Sequence, residues 1–293
     1  MSLFTGSAVA IITPFNNDGS INYDAFKKMV DDQIAAGTAA IVVAGTTGEA
    51  STIDDAEQIK LIKFCVDTVN KRVPVIAGAG SNDTAHAIEL AKLAEEAGAD
   101  GLLIVTPYYN KTTQKGLVKH YTAIAESVNI PIIVYSVAGR TGLNITPATV
   151  KELSKVKNIV AIKEASGDLS QIAKIAEMCG DDIDIYSGND DQTLPILSIG
   201  GKGVISVLAN VMPKEVSQMC DKFFKGDIEG SRKIFLDTLK LANTLFIETN
   251  PIPVKTACNL MGMNAGPLKA PLYDMEPANL EALKAELKKH NLI

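Results

Sequence analysis

Short runs of apolar residues, many of them β-branched, alternate along the chain with longer stretches in which apolar residues recur every three or four positions. An apolar run bounded by turn residues indicates a strand that is covered on both faces, and the longer period indicates an amphipathic helix. Eight predicted strands occupy Ala8–Thr13, Ala39–Ala44, Pro74–Ala79, Gly101–Thr106, Pro131–Tyr135, Ile159–Glu164, Asp184–Ser187 and Gly203–Leu208. The clearest helical stretches between them are Tyr23–Ala36, Ala56–Val69, Thr84–Ala97, Lys115–Ser127 and Ser170–Met178.

Strands that alternate with helices in this way predict a parallel sheet with right-handed crossovers. A (β/α)8 TIM barrel of the α/β class is the simplest arrangement for eight such units, and a doubly wound open sheet is the alternative. The strand signal ends near Phe224, and helical patterns follow over Asp227–Glu248, Val254–Met261 and Pro277–His290. The sequence therefore predicts a barrel over residues 1–224 and a helical C-terminal domain over residues 225–293.

Charge and composition exclude several classes of partner. The 293-residue chain has a formal net charge of -6 and no run rich in Lys or Arg, so it lacks the basic surface that nucleic acids and anionic membranes require. No stretch approaches the length of apolar sequence needed to cross a bilayer, and no signal peptide is visible at the N-terminus. The cysteines are scattered without a CxxC pair, which favours a reducing, cytoplasmic location.

Three motifs resemble cofactor or metal sites but lack a required residue. Gly78-Ala79-Gly80 has Asp83 where a dinucleotide-binding loop needs a small residue, and Gly201-Lys202-Gly203 lacks the Ser or Thr of a phosphate loop. The three histidines, His86, His120 and His290, have no zinc-ligand spacing, so a metal-dependent mechanism is disfavoured and each is predicted to be a surface or boundary residue.

Catalytic groups of a (β/α)8 enzyme stand at the C-terminal ends of its strands, and polar residues follow five of the predicted strands. Among them Lys163 ends the sixth strand. Such a lysine, taken alone, is a capping charge or the partner of an acid such as Glu164. Burial or a nearby cation such as Arg140 would instead lower its pKa and make its amine a nucleophile for carbonyl groups.

The residues at neighbouring strand ends favour the catalytic interpretation. Thr46 and Thr47 lie in a glycine-flanked turn whose N–H groups can bind a carboxylate, and Tyr135 is suited to acid–base work. Arg140 can bind a second carboxylate with parallel hydrogen bonds, although it could equally form a surface salt bridge. Together these groups suit a reaction that joins a 2-oxoacid to another anionic carbonyl compound.

With these motifs in order, the chain resembles the dihydrodipicolinate synthase family along essentially its whole length. The segments that carry the resemblance are Gly45-Thr46-Thr47-Gly48-Glu49, Thr106-Pro107-Tyr108-Tyr109-Asn110, Tyr135 with Gly139-Arg140-Thr141-Gly142, Ile162-Lys163-Glu164-Ala165, Gly203-Val204-Ile205-Ser206-Val207 and Asn250-Pro251-Ile252-Pro253-Val254-Lys255.

The resemblance implies a lyase of lysine biosynthesis by the diaminopimelate route, in which Lys163 forms a Schiff base with pyruvate. The resulting enamine would attack the aldehyde of L-aspartate 4-semialdehyde. Tyr135, Thr46 and Tyr109 would form a proton relay, with Tyr109 reaching the active site of a partner subunit. The family needs no organic cofactor or metal and is commonly a homotetramer, built as a dimer of dimers.

The resemblance also implies how the substrates are held. Thr46 and Thr47 would bind the carboxylate of pyruvate, and Arg140 would bind that of the second substrate. Gly188 and Ile205 would line the pocket through their backbones.

Two departures from the family pattern bear on this expectation. Ser136-Val137-Ala138 replaces Asn-Val-Pro after the tyrosine, which would free the loop that aims Arg140. His86 stands where lysine-inhibited members have an acidic residue, so we predict weak or absent inhibition by lysine. Ala50, Asp55 and Gln58 also differ from the lysine-sensitive pattern, whereas Asn82 and Tyr108 match it.

Two other functions remain open at this point. N-acetylneuraminate lyase and the 2-keto-3-deoxy sugar acid aldolases share the lysine and the tyrosine. The lyases typically have Gly-Ser-Thr-Gly-Glu in place of Gly45-Thr46-Thr47-Gly48-Glu49, and they lack an arginine in the motif that holds Arg140. A non-catalytic barrel that senses pyruvate is the alternative from a different class, and it would not need an imine-forming amine beside a proton relay.

Overall fold

A computed structural model describes residues 2–293, and the strands within this range form a closed parallel barrel in which each pairs with the next and β1 pairs with β8. The predicted TIM barrel is confirmed. The strands are β1 Gly6–Ala10, β2 Ala40–Val43, β3 Val75–Gly78, β4 Gly101–Val105, β5 Ile132–Ser136, β6 Ile159–Glu164, β7 Asp184–Ser187 and β8 Gly203–Ser206.

Helices cover the outside of the barrel and continue beyond its last strand. Their bounds are α1 Tyr23–Ala35, α2 Asp55–Val69, α3 Thr84–Glu96, α4 Gln114–Glu126, α5 Ala138–Thr141, α6 Pro147–Leu153, α7 Leu169–Cys179, α8 Thr193–Ser198, α9 Pro213–Phe224, α10 Ile228–Thr244, α11 Ile252–Leu260 and α12 Pro277–Lys289. Several begin with an N-cap whose side chain accepts a backbone N–H, such as Asp54 before α2 and Thr113 before α4.

Five of the eight strands, β1 to β4 and β8, end earlier than the apolar runs that predicted them. β1 ends at Ala10, although the apolar run continues through Ile11 and Ile12. Both are buried, and Ile12 N donates to Asn210 Oδ1 rather than to a neighbouring strand. Burial under the loops therefore extends the apolar pattern past the end of the sheet.

Side chains of the strands divide into two buried layers. One set packs between the barrel and its helices, and the other fills the barrel interior, where it includes Ala8, Val42, Ile133, Tyr135 and Ile205. Phe4 and Tyr186 stack in that interior cluster with ring centroids 4.1 Å apart, and the Tyr186 hydroxyl donates to Phe4 O. This packing leaves the C-terminal ends of the strands as the open end of the barrel.

The helices after Phe224 pack on one side of the barrel. Helix α10 lies against α9 and α12, so the predicted boundary between residues 224 and 225 falls in the turn between two helices in contact. Between residues 2 and 293, no helix is both long and apolar enough to cross a membrane. Each of the four cysteines is buried in a helix as a free thiol.

Candidate active site

A cavity of about 260 Å³ opens at the C-terminal ends of the strands. Six residues that the sequence singled out line it: Thr46, Thr47, Tyr135, Arg140, Lys163 and Gly188. They come from the ends of four strands, β2, β5, β6 and β7, or from the turns that follow them, because parallel closure brings those ends to one side of the barrel.

Lys163 lies on β6 between two tyrosines of the barrel. It pairs in register with Tyr135 on β5 and with Tyr186 on β7, and its Nζ lies 4.2 Å from the centroid of the Tyr135 ring. Gly188 makes room for the lysine stem, since a Cβ there would approach Lys163 Cε to 3.1 Å and Ala165 Cβ to 2.7 Å. The amine is thus held beside a phenol, and there is no room for a side chain at position 188.

Burial changes the protonation of this amine. Lys163 is 6% exposed, and desolvation is the main reason that its pKa falls to about 7; nearby Arg140 lowers it further, whereas Asp190 raises it. Glu164 is not its partner, because that carboxylate accepts from Ser166 N at 2.7 Å and from Gln171 Nε2 at 2.9 Å. The structural interpretation of Lys163 as the partner of Glu164 is therefore wrong.

Asp190, which follows β7, is a second titratable group near Lys163, and no role was predicted for it from the sequence. Its buried carboxylate accepts from Ser206 Oγ at 2.5 Å and from the backbone N–H groups of Val207 and Leu208, each at 3.0 Å. These bonds fix a negative charge on the β8 side of the lysine, where it favours a positive charge on the amine.

Tyr135 is buried, and desolvation raises its pKa to about 12, a rise that Arg140 opposes. Its phenol therefore remains protonated at neutral pH. In that state the hydroxyl can donate a proton or pass one on.

The turn after β2 presents Thr46 and Thr47 to the cavity. Thr13 Oγ1 donates to Gly48 O over 2.7 Å, and Glu49 closes the turn with a left-handed φ of 58°. Such a backbone is strained for a residue other than glycine, so other contacts must hold it.

Those contacts are made by the Glu49 carboxylate. Its Oε1 lies 2.6 Å from Lys255 Nζ, with both side chains 1% exposed, and its Oε2 accepts from Lys269 N over 2.8 Å. Lys255 Nζ also lies 4.0 Å from the centroid of the Phe15 ring. The C-terminal part of the chain thus anchors the turn. Glu49 and Lys255 lie in separate motifs of the sequence, and their ion pair was not predicted from it.

Arg140 belongs to the single turn of helix α5 and is exposed, but its Nη2 donates to the backbone oxygen of Asn250 over 2.7 Å. Among residues 2–293 no carboxylate forms a salt bridge with it, so the surface salt bridge considered from the sequence is absent. The freer loop expected from Ser136-Val137-Ala138 stays a prediction. Ser136 is buried at the end of β5, where its Oγ accepts from Ile145 N at 3.3 Å, and Arg140 N donates to Val137 O at 2.9 Å.

Two predicted site residues lie away from the cavity. Tyr109 is 92% exposed, has a left-handed φ of 69° and points its ring outside this chain's own site. Ile205 is fully buried in the barrel interior, and Val207, two residues further along, lines the cavity instead.

The histidines differ in their surroundings. His86 lies on the cavity wall, with its Nε2 2.9 Å from Asp55 Oδ2 and its Nδ1 3.2 Å from Ser81 Oγ. His120 was expected at the surface or boundary but is 5% exposed, because α4 turns it inward against Thr84. Over residues 2–293, no three His, Cys, Asp or Glu side chains are grouped as metal ligands would be.

The assembled site offers a buried amine with a pKa near neutrality, a phenol, a hydroxyl-bearing turn and an exposed guanidinium. An amine of this kind can form an imine with a ketone at neutral pH. The turn and the guanidinium suit two carboxylate groups, which is the substrate pattern that the sequence predicted.

Comparison with known proteins agrees with this geometry. The model of the dihydrodipicolinate synthetase family matches residues 3–290. A 4-hydroxy-tetrahydrodipicolinate synthase of Clostridium perfringens is 58% identical over 99% of this chain and 100% of its own. The dihydrodipicolinate synthase of Aquifex aeolicus matches with a TM-score of 0.96 and 44% identity over 99% of both chains. The chloride-inhibited enzyme of Acinetobacter baumannii complexed with pyruvate matches with a TM-score of 0.97 and 42% identity, again over 99% of both chains. With its fold, its strand-end residues and its full-length relatives in agreement, the chain belongs to the dihydrodipicolinate synthetase family.

Proposed function

We propose that this enzyme condenses pyruvate with L-aspartate 4-semialdehyde, the 4-hydroxy-tetrahydrodipicolinate synthase reaction of the diaminopimelate route to lysine. The family and the full-length relatives support the activity. The observation that carries the mechanism is the buried Lys163 amine, whose pKa is near 7 at the open end of the barrel. Such a group is a nucleophile at the pH of a cell.

In the proposed reaction, Lys163 Nζ attacks the keto carbon of pyruvate, and loss of water leaves an imine. Removal of a methyl proton gives the enamine, whose terminal carbon forms a bond to the aldehyde carbon of the second substrate. The amino group of that substrate then attacks the imine carbon, which closes the ring and releases the lysine amine. The cycle takes up no electrons, so acid–base groups suffice for it.

Proton transfers in these steps are assigned to Tyr135, Thr46 and Tyr109. Tyr135 lies beside the amine, and its raised pKa keeps the phenol able to donate. Thr46 stands on the cavity wall. Tyr109, exposed in this chain, would complete the relay in a partner subunit.

Substrate binding follows from the two groups that suit carboxylates. The turn with Thr46 and Thr47 binds the carboxylate of pyruvate, and Arg140 binds that of the second substrate. We assign the adjoining wall to Gly188 and to Val207, which takes the place predicted for Ile205. Sugar acid aldolases bind polyhydroxylated partners instead, and the combination of Thr46 with Arg140 favours the synthase over them.

One experiment separates these functions. The purified enzyme is treated with pyruvate and borohydride and its intact mass is measured, and turnover is then assayed with aspartate semialdehyde, N-acetylneuraminate and 2-keto-3-deoxygluconate. We expect an adduct and turnover of the semialdehyde alone. Turnover of only the sugar acids would identify an aldolase, and the absence of an adduct would favour a barrel that merely binds metabolites.

The proposal also covers the oligomeric state of the enzyme and the division of each chain into two domains. We place the enzyme in the cytoplasm. We also infer a homotetramer, because Tyr109 is exposed and does not line the cavity of its own subunit. The barrel of residues 1–224 carries the chemistry, and residues 225–293 form a helical domain that completes the site through Asn250 and Lys255. Sedimentation of the purified enzyme tests the tetramer, and Tyr109→Phe tests the relay.

The pKa of Lys163 predicts the pH dependence of the reaction. Only the neutral amine attacks the ketone, so kcat/KM for pyruvate should rise with pH through about 7 and level off above it. Asp190→Asn should shift this limb to lower pH, because the carboxylate of Asp190 raises the pKa of the lysine. A profile that stays flat between about pH 6 and pH 8 would contradict the assignment.

Ala138 offers a test of how Arg140 is aimed. It begins helix α5, where proline fits, and Val137 before it has φ -140° and ψ 66°, outside the helical region that a following proline disfavours. Ala138→Pro should raise the free energy of unfolding by about 0.4–1 kcal/mol and lower KM for the second substrate. Ala138→Gly is the matched control, with the opposite effects expected; a rise in that KM for the proline variant would argue against the idea.

Weak or absent inhibition by lysine remains a prediction. His86 Nε2 lies 2.9 Å from Asp55 Oδ2, so the carboxylate on this wall already has a hydrogen-bond partner. We expect millimolar lysine to leave the initial rate nearly unchanged in the natural enzyme and to reduce it in His86→Glu. His290→Glu serves as the control, and a halved rate in the unmodified enzyme would refute the prediction.

A further inference from the structure

Asn250 lines the active-site cavity although it belongs to the C-terminal helical part of the chain. Its Nδ2 donates to Thr47 Oγ1 over 3.0 Å, and its backbone oxygen accepts from Arg140 Nη2 over 2.7 Å. A single residue therefore contacts both of the groups to which the proposed function assigns substrate carboxylates.

The bond to Thr47 fixes the direction of that residue's hydroxyl hydrogen. A threonine hydroxyl has one hydrogen to donate and two lone pairs to accept. Because Asn250 Nδ2 donates to Thr47 Oγ1, the hydroxyl hydrogen must point elsewhere. The cavity that Thr47 lines is where a carboxylate would accept it.

The amide oxygen of Asn250 is buried without a hydrogen bond inside the part of the subunit that the structure describes. The side chain is 5% exposed, and its buried Oδ1 has no hydrogen-bond partner among residues 2–293. An unpaired buried acceptor lowers the stability of a fold, so this oxygen offsets part of what the bond from Nδ2 to Thr47 contributes.

We propose that Asn250 is a positioning residue that couples the pyruvate turn to Arg140; this inference rests on the proposed function. Arg140 is exposed and long, and its hydrogen bond to the Asn250 carbonyl is the contact that restrains it. A carboxylate that orders Thr47 also holds the Asn250 side chain, and with it the carbonyl that aims the guanidinium. Pyruvate bound on Lys163 thereby prepares the site for the second substrate.

Asn250→Ala tests the coupling, since it removes the amide and keeps the backbone oxygen. At saturating pyruvate we expect KM for the second substrate to rise about five- to tenfold, the effect of one hydrogen bond, with kcat changed by about twofold or less. Thr47→Val should raise the same KM, and the double variant should be no worse than either single one. Asn259→Ala is the matched control. It lies in helix α11 and loses two hydrogen bonds to Gly266, and we expect it to leave this KM unchanged.

Asn250→Leu separates positioning from mere stability. It removes the unpaired oxygen, so the variant should unfold at the same urea concentration as the natural enzyme or a higher one, while KM for the second substrate still rises. A purely structural role predicts that stability and affinity fall together, and that result would overturn the coupling.

The kinetic results distinguish this inference from the function on which it rests. If the unmodified enzyme does not turn over the two substrates, the proposed function fails and the coupling fails with it. If the unmodified enzyme is active but Asn250→Ala leaves the second-substrate KM unchanged, or the effects of Asn250→Ala and Thr47→Val simply add, only the coupling is refuted.

Discussion

Lys163→Met should lower kcat by roughly 10³-fold or more, as removal of a covalent nucleophile does in other enzymes. Among residues 2–293 no other lysine lines the cavity, so no second amine can replace it. Borohydride treatment with pyruvate should add mass to the natural enzyme at Lys163 and add none to the variant.

The same substitution should leave the fold intact or make it more stable. Burial disfavours the charged amine, which is why its pKa lies near 7, and methionine fills a similar volume without a charge. Loss of activity with an unchanged or higher free energy of unfolding would separate a catalytic lysine from a structural one. Lys155→Met, at an exposed lysine paired with Glu152, is the control that should keep both the adduct and the activity. An adduct that persists in Lys163→Met would refute the assignment.

Lys255→Met should reduce the free energy of unfolding by about 3–5 kcal/mol, because it leaves the Glu49 carboxylate buried without its cation. Activity should fall as well, since Glu49 holds the turn that carries Thr46 and Thr47. Urea unfolding followed by circular dichroism measures the first effect, and KM for pyruvate measures the second.

The double variant Glu49→Gln with Lys255→Met tests whether the unpaired Glu49 carboxylate causes the loss of stability. It removes both charges together, so much of the lost stability should return, although the strained turn keeps fewer anchors. Lys27→Met breaks an exposed pair with Asp31 and should cost at most about 1 kcal/mol. If Lys255→Met costs no more than this control, the buried pair does not stabilise the turn.

Regularities that repeat along the chain were predictable from sequence. Each apolar run such as Ile159–Glu164 gave a strand, and the long helices were located to within a residue or two at most ends. Helices α5, α6 and α8 were missed because four to seven residues are too few for a helical period to appear. Helix α9 was not predicted either, although its 12 residues are long enough for such a period. The strand-end rule then placed Lys163, Tyr135 and Arg140 together, because closure of a parallel barrel leaves no other arrangement for them.

The sequence by itself determined the barrel and the residue types at its open end, since both follow from local periodicity and from the order of the strands. Only the tertiary structure decided that Glu164 bonds to Gln171 rather than to Lys163, that the charge of Asp190 acts on the Lys163 amine, and that Asn250 and Lys255 anchor the turn after β2. These contacts join residues far apart in the chain, and Glu49 and Lys255 are separated by 206 positions. Their pairing depends on how helices pack on the finished barrel, which no local pattern records.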